Sequence, residues 1–153
     1  MAYGFICADN ATTAFTAAGG YTSLLLHEDT AADTGSLHGA LPSAGRIGTL
    51  ELVVNDTGTT MTDLRVFATW DSAGNDIFLP LTVLTSANND WVAQQATPDH
   101  EIMTSIKYDR PYRASAEQTT AGKVYLWVTT TTGSGAGTII QARLNWETPG
   151  QRG

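Results

Sequence analysis

The feature that most constrains this chain is a period of two. In Val124–Thr132 (VYLWVTTTT) the apolar residues Val124, Leu126 and Val128 alternate with Tyr125, Trp127 and Thr129. Thr138–Glu147 (TIIQARLNWE) does the same, with Ile140, Ala142, Leu144 and Trp146 set against Gln141, Arg143, Asn145 and Glu147. Ile47–Asn55 puts Leu50, Leu52 and Val54 on one face and Glu51 and Val53 on the other. Leu64–Trp70 puts Leu64, Val66, Ala68 and Trp70 opposite Arg65, Phe67 and Thr69. Successive side chains of a strand point to opposite faces, so each pattern reads as a strand with one buried side. Composition agrees: 24 Thr and 15 Gly in 153 residues, with 15% charged residues. Threonine is β-branched, which suits a pleated surface and costs rotamer freedom in a helix.

The connections follow from turn chemistry. Asp71–Asp76 (DSAGND) is a tight turn and Ile77–Leu84 returns, the clearest hairpin in the chain. Pro80 cannot donate to a ladder, so the returning strand belongs at an edge or carries a bulge. Gly133–Gly137 (GSGAG) reads as the turn of a closing hairpin, Val124–Glu147. Tyr21–His27 is a further strand, Trp91–Ala93 a short one, and Ile102–Tyr108 another. Thr97–Glu101 has the grammar of a helix start, expected to give a turn or two at most because Ile102–Tyr108 reads as extended again. Seven or eight strands with Gly-rich turns and almost no helix are satisfied by two sheets packed face to face. The expected fold is all-β, a two-sheet jelly-roll-like sandwich. Residues 1–20 are small and hydroxyl-rich, and are expected to form an extended N-terminal arm. Residues 21–148 make the sandwich domain and 149–153 a C-terminal tail. The polar segment Glu28–Gly45 exceeds the usual loop length and is a candidate contact loop.

Charge narrows the partners. Net charge is −7 with eight Lys and Arg. Binding to phosphate backbones rests on Lys and Arg releasing counterions, and no basic face is visible in the sequence. Neither nucleic acid nor an anionic membrane is therefore expected as a partner. The first nine residues have no basic start and no apolar core of signal-peptide length, so no leader is expected there. The lone Cys7 excludes an internal disulfide and fits folding in a reducing cytoplasm.

A search for chemistry finds none that holds. Asp71, Asn75 and Asp76 lack the spacing of a calcium loop. His27, His38 and His100 do not have the helical spacing of a zinc pair, though a composite site of the three stays open. The glycines at 133–137 sit between strands, whereas a phosphate loop opens a helix. Ser134 has the wrong place for a hydrolase elbow. No catalytic residue, metal or cofactor is expected.

The aromatic residues are more informative. Trp70 and Trp146 lie on faces assigned to the core. Phe67, Tyr125 and Trp127 lie opposite apolar faces, so either the strand is central and these rings face the core, or a neighbouring loop covers them, or they meet another surface. Together with Tyr3, Phe5 and Phe15 of the arm they are the interface candidates. Two functions compete: an assembly protein that self-associates on a repeating surface, and a sugar-binding sandwich that stacks rings on pyranoses beside Asp71, Asn75 or Asn145. A small hydrolase is a third.

In general build the chain resembles a tailed-bacteriophage capsid decoration protein. The likeness rests on the Thr/Gly/Ala-rich segment Ala11–Gly20, the strands Ile47–Asn55 and Leu64–Trp70, and the closing segment Val124–Glu147. No short motif carries it. It implies a β-rich protein without enzymatic activity, a homotrimer seated on the major capsid protein at the virion surface and made in the host cytoplasm. It further implies an arm, Ala2–Gly20, that lays a strand beside another chain's sheet.

Overall fold

The computed structural model describes residues 2–8, 13–16, 20–26, 44–56, 63–85, 101–113, 124–130 and 136–148. Among these, nine strands run in chain order: β1 (Ala2–Ala8), β2 (Thr13–Thr16), β3 (Thr22–Leu26), β4 (Ala44–Asp56), β5 (Asp63–Thr69), β6 (Ile77–Thr85), β7 (Glu101–Arg113), β8 (Val124–Thr129) and β9 (Ala136–Thr148). One sheet has the order β1-β9-β4-β7, with β2 also on β9; the other has the order β3-β8-β5-β6. All the pairings are antiparallel.

β1 pairs with Ala142–Thr148 and β2 with Ala136–Ile139, so β2 continues along β9 where β1 leaves off. Counting them as one interrupted strand gives eight, in two interleaved sets of four. That is a jelly roll, and the all-β sandwich expectation holds.

Alternation places the core correctly on most strands. Leu50, Leu52 and Val54 of β4 face Leu64, Val66 and Ala68 of β5 and Val124, Leu126 and Val128 of β8 across the interior, and all nine are buried. Fully burying a side chain of this size contributes about 1.5–3 kcal/mol. β6 is an edge strand with register shifts opposite Val66–Thr69, so Pro80 sits both at an edge and beside a bulge.

Several expectations need correction. Val124–Glu147 is not a hairpin: β8 pairs with β3 and β5 in one sheet, and β9 with β1, β2 and β4 in the other. Alternation says which face a residue takes but not which strand it pairs with. In β9, Ile139 is buried and Ile140 is not. The register jumps from Val53↔Gln141 to Val54↔Ile139, so Ile140 is the extra residue of a bulge.

The segment expected as an arm is built into this chain's own sheet. Ile6 and Phe15 are core residues, and Gly4 carries no side chain because the Trp146 indole occupies that space. The segment pairs with β9 of the same chain, and β1 forms one end of the sheet. Most of the 28–45 loop, the Trp91–Ala93 and Thr97–His100 segments, the Gly-rich turn up to Gly135 and the 149–153 tail lie outside the described residues.

Candidate functional site

The candidate site is the outer face of the four-stranded sheet. The inner residues of β8 and β5 fix their neighbours outward, and the register brings Trp127 beside Phe67 on β5 and Ser23 on β3. Tyr125 lies beside Thr69 and Leu25. Leu81 and Val83 of β6 complete the row, since Thr82 and Leu84 pair with the inward Val66 and Leu64. The result is a sheet face carrying aromatic and aliphatic side chains where an ordinary sandwich exposes polar ones. Among the described residues the large apolar side chains most open to solvent are Tyr21 (39%), Leu81 (50%) and Ile77 (56%), and all three belong to this side of the molecule.

The rings are organised. Phe67 and Trp127 lie nearly parallel, with centroids 5.9 Å apart and planes 6° apart. Tyr21 meets Phe67 edge-on at 4.9 Å. The Trp127 Nε1–H donates to Thr69 Oγ1 at 2.8 Å, and that hydroxyl donates in turn to the Asp71 carbonyl at 2.7 Å. The hairpin turn closes over the indole: a Cβ on Gly74 would stand 3.0 Å from Trp127 Cζ2, and Gly74 has φ +80°. Only a residue without a side chain can adopt that conformation so close to the ring at no cost.

Asp71 shapes the same turn. Its carboxylate accepts from the backbone N–H of Asp76 at 2.8 Å and of Asn75 at 3.1 Å. The bond from the Asp76 N–H holds the Asp71 carboxyl below the usual carboxylate range. Asp71 is therefore a turn-former, as the reading of Asp71–Asp76 as a tight turn expects.

Other polar groups on this face are engaged with one another. Thr129 Oγ1 donates to the Gly20 carbonyl at 2.8 Å. Arg65 Nε donates to Asp63 Oδ2 at 3.1 Å, and Thr130 Oγ1 to the other Asp63 oxygen at 3.0 Å.

The six interface candidates are thus separated. Phe67, Tyr125 and Trp127 come together on this face, half-buried. Phe15 is 2% exposed and belongs to the core, which removes it as an interface residue. Phe5 lies on the opposite sheet, with the Arg143 guanidinium 4.0 Å over its ring. The Tyr3 side chain lies outside the description. Sequence reading missed Tyr21, Ile77, Leu81 and Val83. The hairpin assignment put Ile77 and Leu81 in one strand, and adding its register to the Phe67 face would have found them.

Other groups searched for carry less. Among the described residues no group of three or more His, Cys, Asp or Glu is placed to hold a metal ion. Cys7 is buried. No helix among the described residues is long and apolar enough to cross a membrane.

No family model matches the chain, and no curated protein does. Among solved structures, the chain is similar to a xylan-binding module, CBM15, at 14% identity over 96% of this chain and 93% of that one, with a TM-score of 0.46. It is similar to dimeric latent PorU from Porphyromonas gingivalis at 10% identity and TM-score 0.45, spanning 13% of that chain. It is also similar to the structure of Cocksfoot mottle virus at 9% identity, covering 96% of this chain and 94% of that one, with a TM-score of 0.36. Likenesses of this size decide nothing about function.

Proposed function

We propose that this protein works by binding and not by catalysis, and that the outer face of its four-stranded sheet docks on a protein surface. The reading that fits is a structural virion protein seated on the outside of a phage capsid. One observation supports it above the others: Tyr21, Ile77 and Leu81 are solvent-exposed on one side of the molecule, around the Phe67–Trp127 ring pair. A protein partner removes apolar area from water without asking for polar groups, at roughly 25 cal/mol per Å² before the costs of association. A sugar asks for hydrogen-bonding side chains beside the ring it stacks on. On a shell with repeated sites, modest contacts from an oligomer add through avidity.

The test is co-sedimentation with tailed-phage capsids assembled without a decoration protein. The full chain pellets with the shells, and Leu81→Glu leaves it in the supernatant with an unchanged thermal melt. Wild-type binding by both Leu81→Glu and Ile77→Glu would overturn the reading.

A carbohydrate-binding sandwich is the second reading, favoured by the ring row Tyr21–Phe67–Trp127. It predicts retention on a glycan array that is lost in Tyr21→Ala, with no binding to shells.

A further inference from the structure

Trp127 holds a key place in the aromatic row, and its orientation is a separate question from its position. The second torsion of a tryptophan is broad and roughly two-fold, so one ring can put its N–H on either of two sides. A ring left free to choose is ordered only when a partner arrives, and each side chain immobilised on association weakens it.

Here the ring is fixed from the neighbouring strand. The Thr69 hydroxyl has a single hydrogen, which it donates to the Asp71 carbonyl at 2.7 Å. Its oxygen is thereby left as an acceptor, and it takes the Trp127 Nε1–H at 2.8 Å. The opposite flip would turn that N–H away from Thr69. Thr69 is fully buried, so solvent does not compete for the hydroxyl.

The Asp71 carbonyl is itself held in place. The Gly74 N–H donates to it at 3.4 Å, and the Trp70 N–H donates to the Asp76 carbonyl at 3.0 Å, closing the turn at its base. The Asp71 carboxylate gathers the Asn75 and Asp76 N–H groups above that closure. The stem is anchored in the interior, where the buried Trp70 ring stacks on Phe78 with centroids 3.9 Å apart. Gly74 then bounds the indole from outside, with the place of its missing Cβ 3.0 Å from Cζ2 and 3.3 Å from Cε2.

We propose that Thr69 is a positioning residue for the docking face, an inference that rests on reading that face as a docking surface. Its hydroxyl, aimed by the β5–β6 turn, locks Trp127 in one flip. The Tyr21–Phe67–Trp127 row therefore meets its protein partner already ordered. The lock also spends the hydrogen-bond donor of the indole inside the protein, so the ring presents carbon to whatever covers it.

Two substitutions in the full chain separate the hydroxyl from the bulk of the side chain. Thr69→Val keeps the shape and removes the hydroxyl; Thr69→Ser keeps the hydroxyl and removes the methyl. Thr69→Ala replaces Thr69→Val should thermal melts show that variant unfolded. The first readout is the indole N–H resonance of Trp127, assigned among the four tryptophans by its loss in Trp127→Phe. It should be single and slow to exchange with water in wild type and Thr69→Ser. In Thr69→Val it should shift and exchange faster. The second readout is co-sedimentation with tailed-phage capsids assembled without a decoration protein. Thr69→Val should bind roughly three- to tenfold more weakly, the cost of ordering one side chain on association, and Thr69→Ser should match wild type. If Thr69 only fills space, Thr69→Val binds as wild type does and Thr69→Ser, which leaves a void, is the weaker; that result overturns the proposal. So does a Trp127 resonance unchanged in Thr69→Val. Failure of the docking reading looks different: wild type stays in the supernatant, or Leu81→Glu and Ile77→Glu both pellet as wild type does. The proposal falls with it, whatever the resonance shows. Where wild type pellets and Leu81→Glu does not, the Thr69 variants alone decide.

Discussion

The two sheets present opposite kinds of outer surface. On the five-stranded sheet the residues between the core positions are Glu51, Thr49, Arg143, Asn145, Ser105 and Lys107. They pair laterally, as in Asn145 Nδ2 to Thr49 Oγ1 at 2.8 Å and Arg143 over Phe5. On the four-stranded sheet the same positions hold Phe67, Tyr125, Trp127, Leu81 and Val83. Both sheets obey one alternation and share one core, so folding does not require the difference. An apolar outer face adds nothing to the interior and raises the risk of non-specific association. On the proposed reading, that side is the one that meets a partner.

The largest effect expected from breaking this comparison is at Trp127. Its indole packs on Phe67 and under Gly74 and donates to Thr69, so Trp127→Ala loses ring contacts and strands a hydroxyl partner. We expect a loss of about 3 kcal/mol, the low end for a buried ring because this one is half-covered. Thermal or denaturant melts measure it. Tyr21→Ala on the same face, at a more exposed ring, should leave the melt within about 0.5 kcal/mol of wild type. If the two variants lose equal stability, the face is not divided into a packed centre and an open margin.

That division shows what the sequence carries and what it does not. The off-core placement of Phe67, Tyr125 and Trp127 is legible from alternation alone. Their environment is not, because Thr69 and Gly74 reach Trp127 only through the β5–β8 pairing and the fold-back of the turn. The same gap explains the misread hairpin: Gly133–Gly137 looks like a two-strand turn, yet its strands enter different sheets. Residues 1–20 misled for another reason. Their side chains are small, but Ile6 and Phe15 fill the core, and the small size of Gly4 makes room for Trp146. In β9 a single bulge exchanged Ile140 for Ile139, which no periodicity reveals.

A smaller effect sharpens the role of the turn over the indole. Gly74→Ala adds a side chain at φ +80° and 3.0 Å from Trp127 Cζ2. Left-handed backbone costs roughly 1–2 kcal/mol for a residue with a Cβ. The melt should fall by more than that amount, since the contact adds to the backbone cost, and Trp127 fluorescence should shift as the ring is displaced. In a Trp127→Ala background part of the penalty should vanish, because the contact is gone and only the backbone cost stays. Full additivity would mean the turn does not press on the indole. On the other sheet, Arg143→Ala should cost only about 0.5–1 kcal/mol, the worth of a cation over a ring at the surface that is only partly desolvated. A larger loss there would reverse the ranking of the two outer faces.

The smallest effect is one of charge, at the edge of the five-stranded sheet. Asp109 has φ +46°, unusual for a residue with a side chain, and sits where the β4–β7 register shifts. Arg46 Nε donates to its carboxylate at 2.7 Å and Arg46 Nη2 to its carbonyl at 2.8 Å. The Arg46 hydrogen bond, with its charge, holds the Asp109 carboxyl below the ordinary value of 3.8. A carboxyl whose folded value is depressed adds stability that is complete above its unfolded value. That contribution is lost as pH falls through the lower, folded one. Acid unfolding should therefore steepen below pH 3.8. Asp109→Asn separates the two roles of the residue. Asparagine tolerates left-handed backbone and keeps an acceptor oxygen, so the bulge survives. The charge does not, and part of the acid-limb slope should go with it while stability at neutral pH barely moves. Both carboxylate and guanidinium are solvent-exposed, where ion pairs contribute little. A large neutral-pH loss in Asp109→Asn would mean that Asp109 anchors the start of β4 through Arg46 and not merely the strand edge.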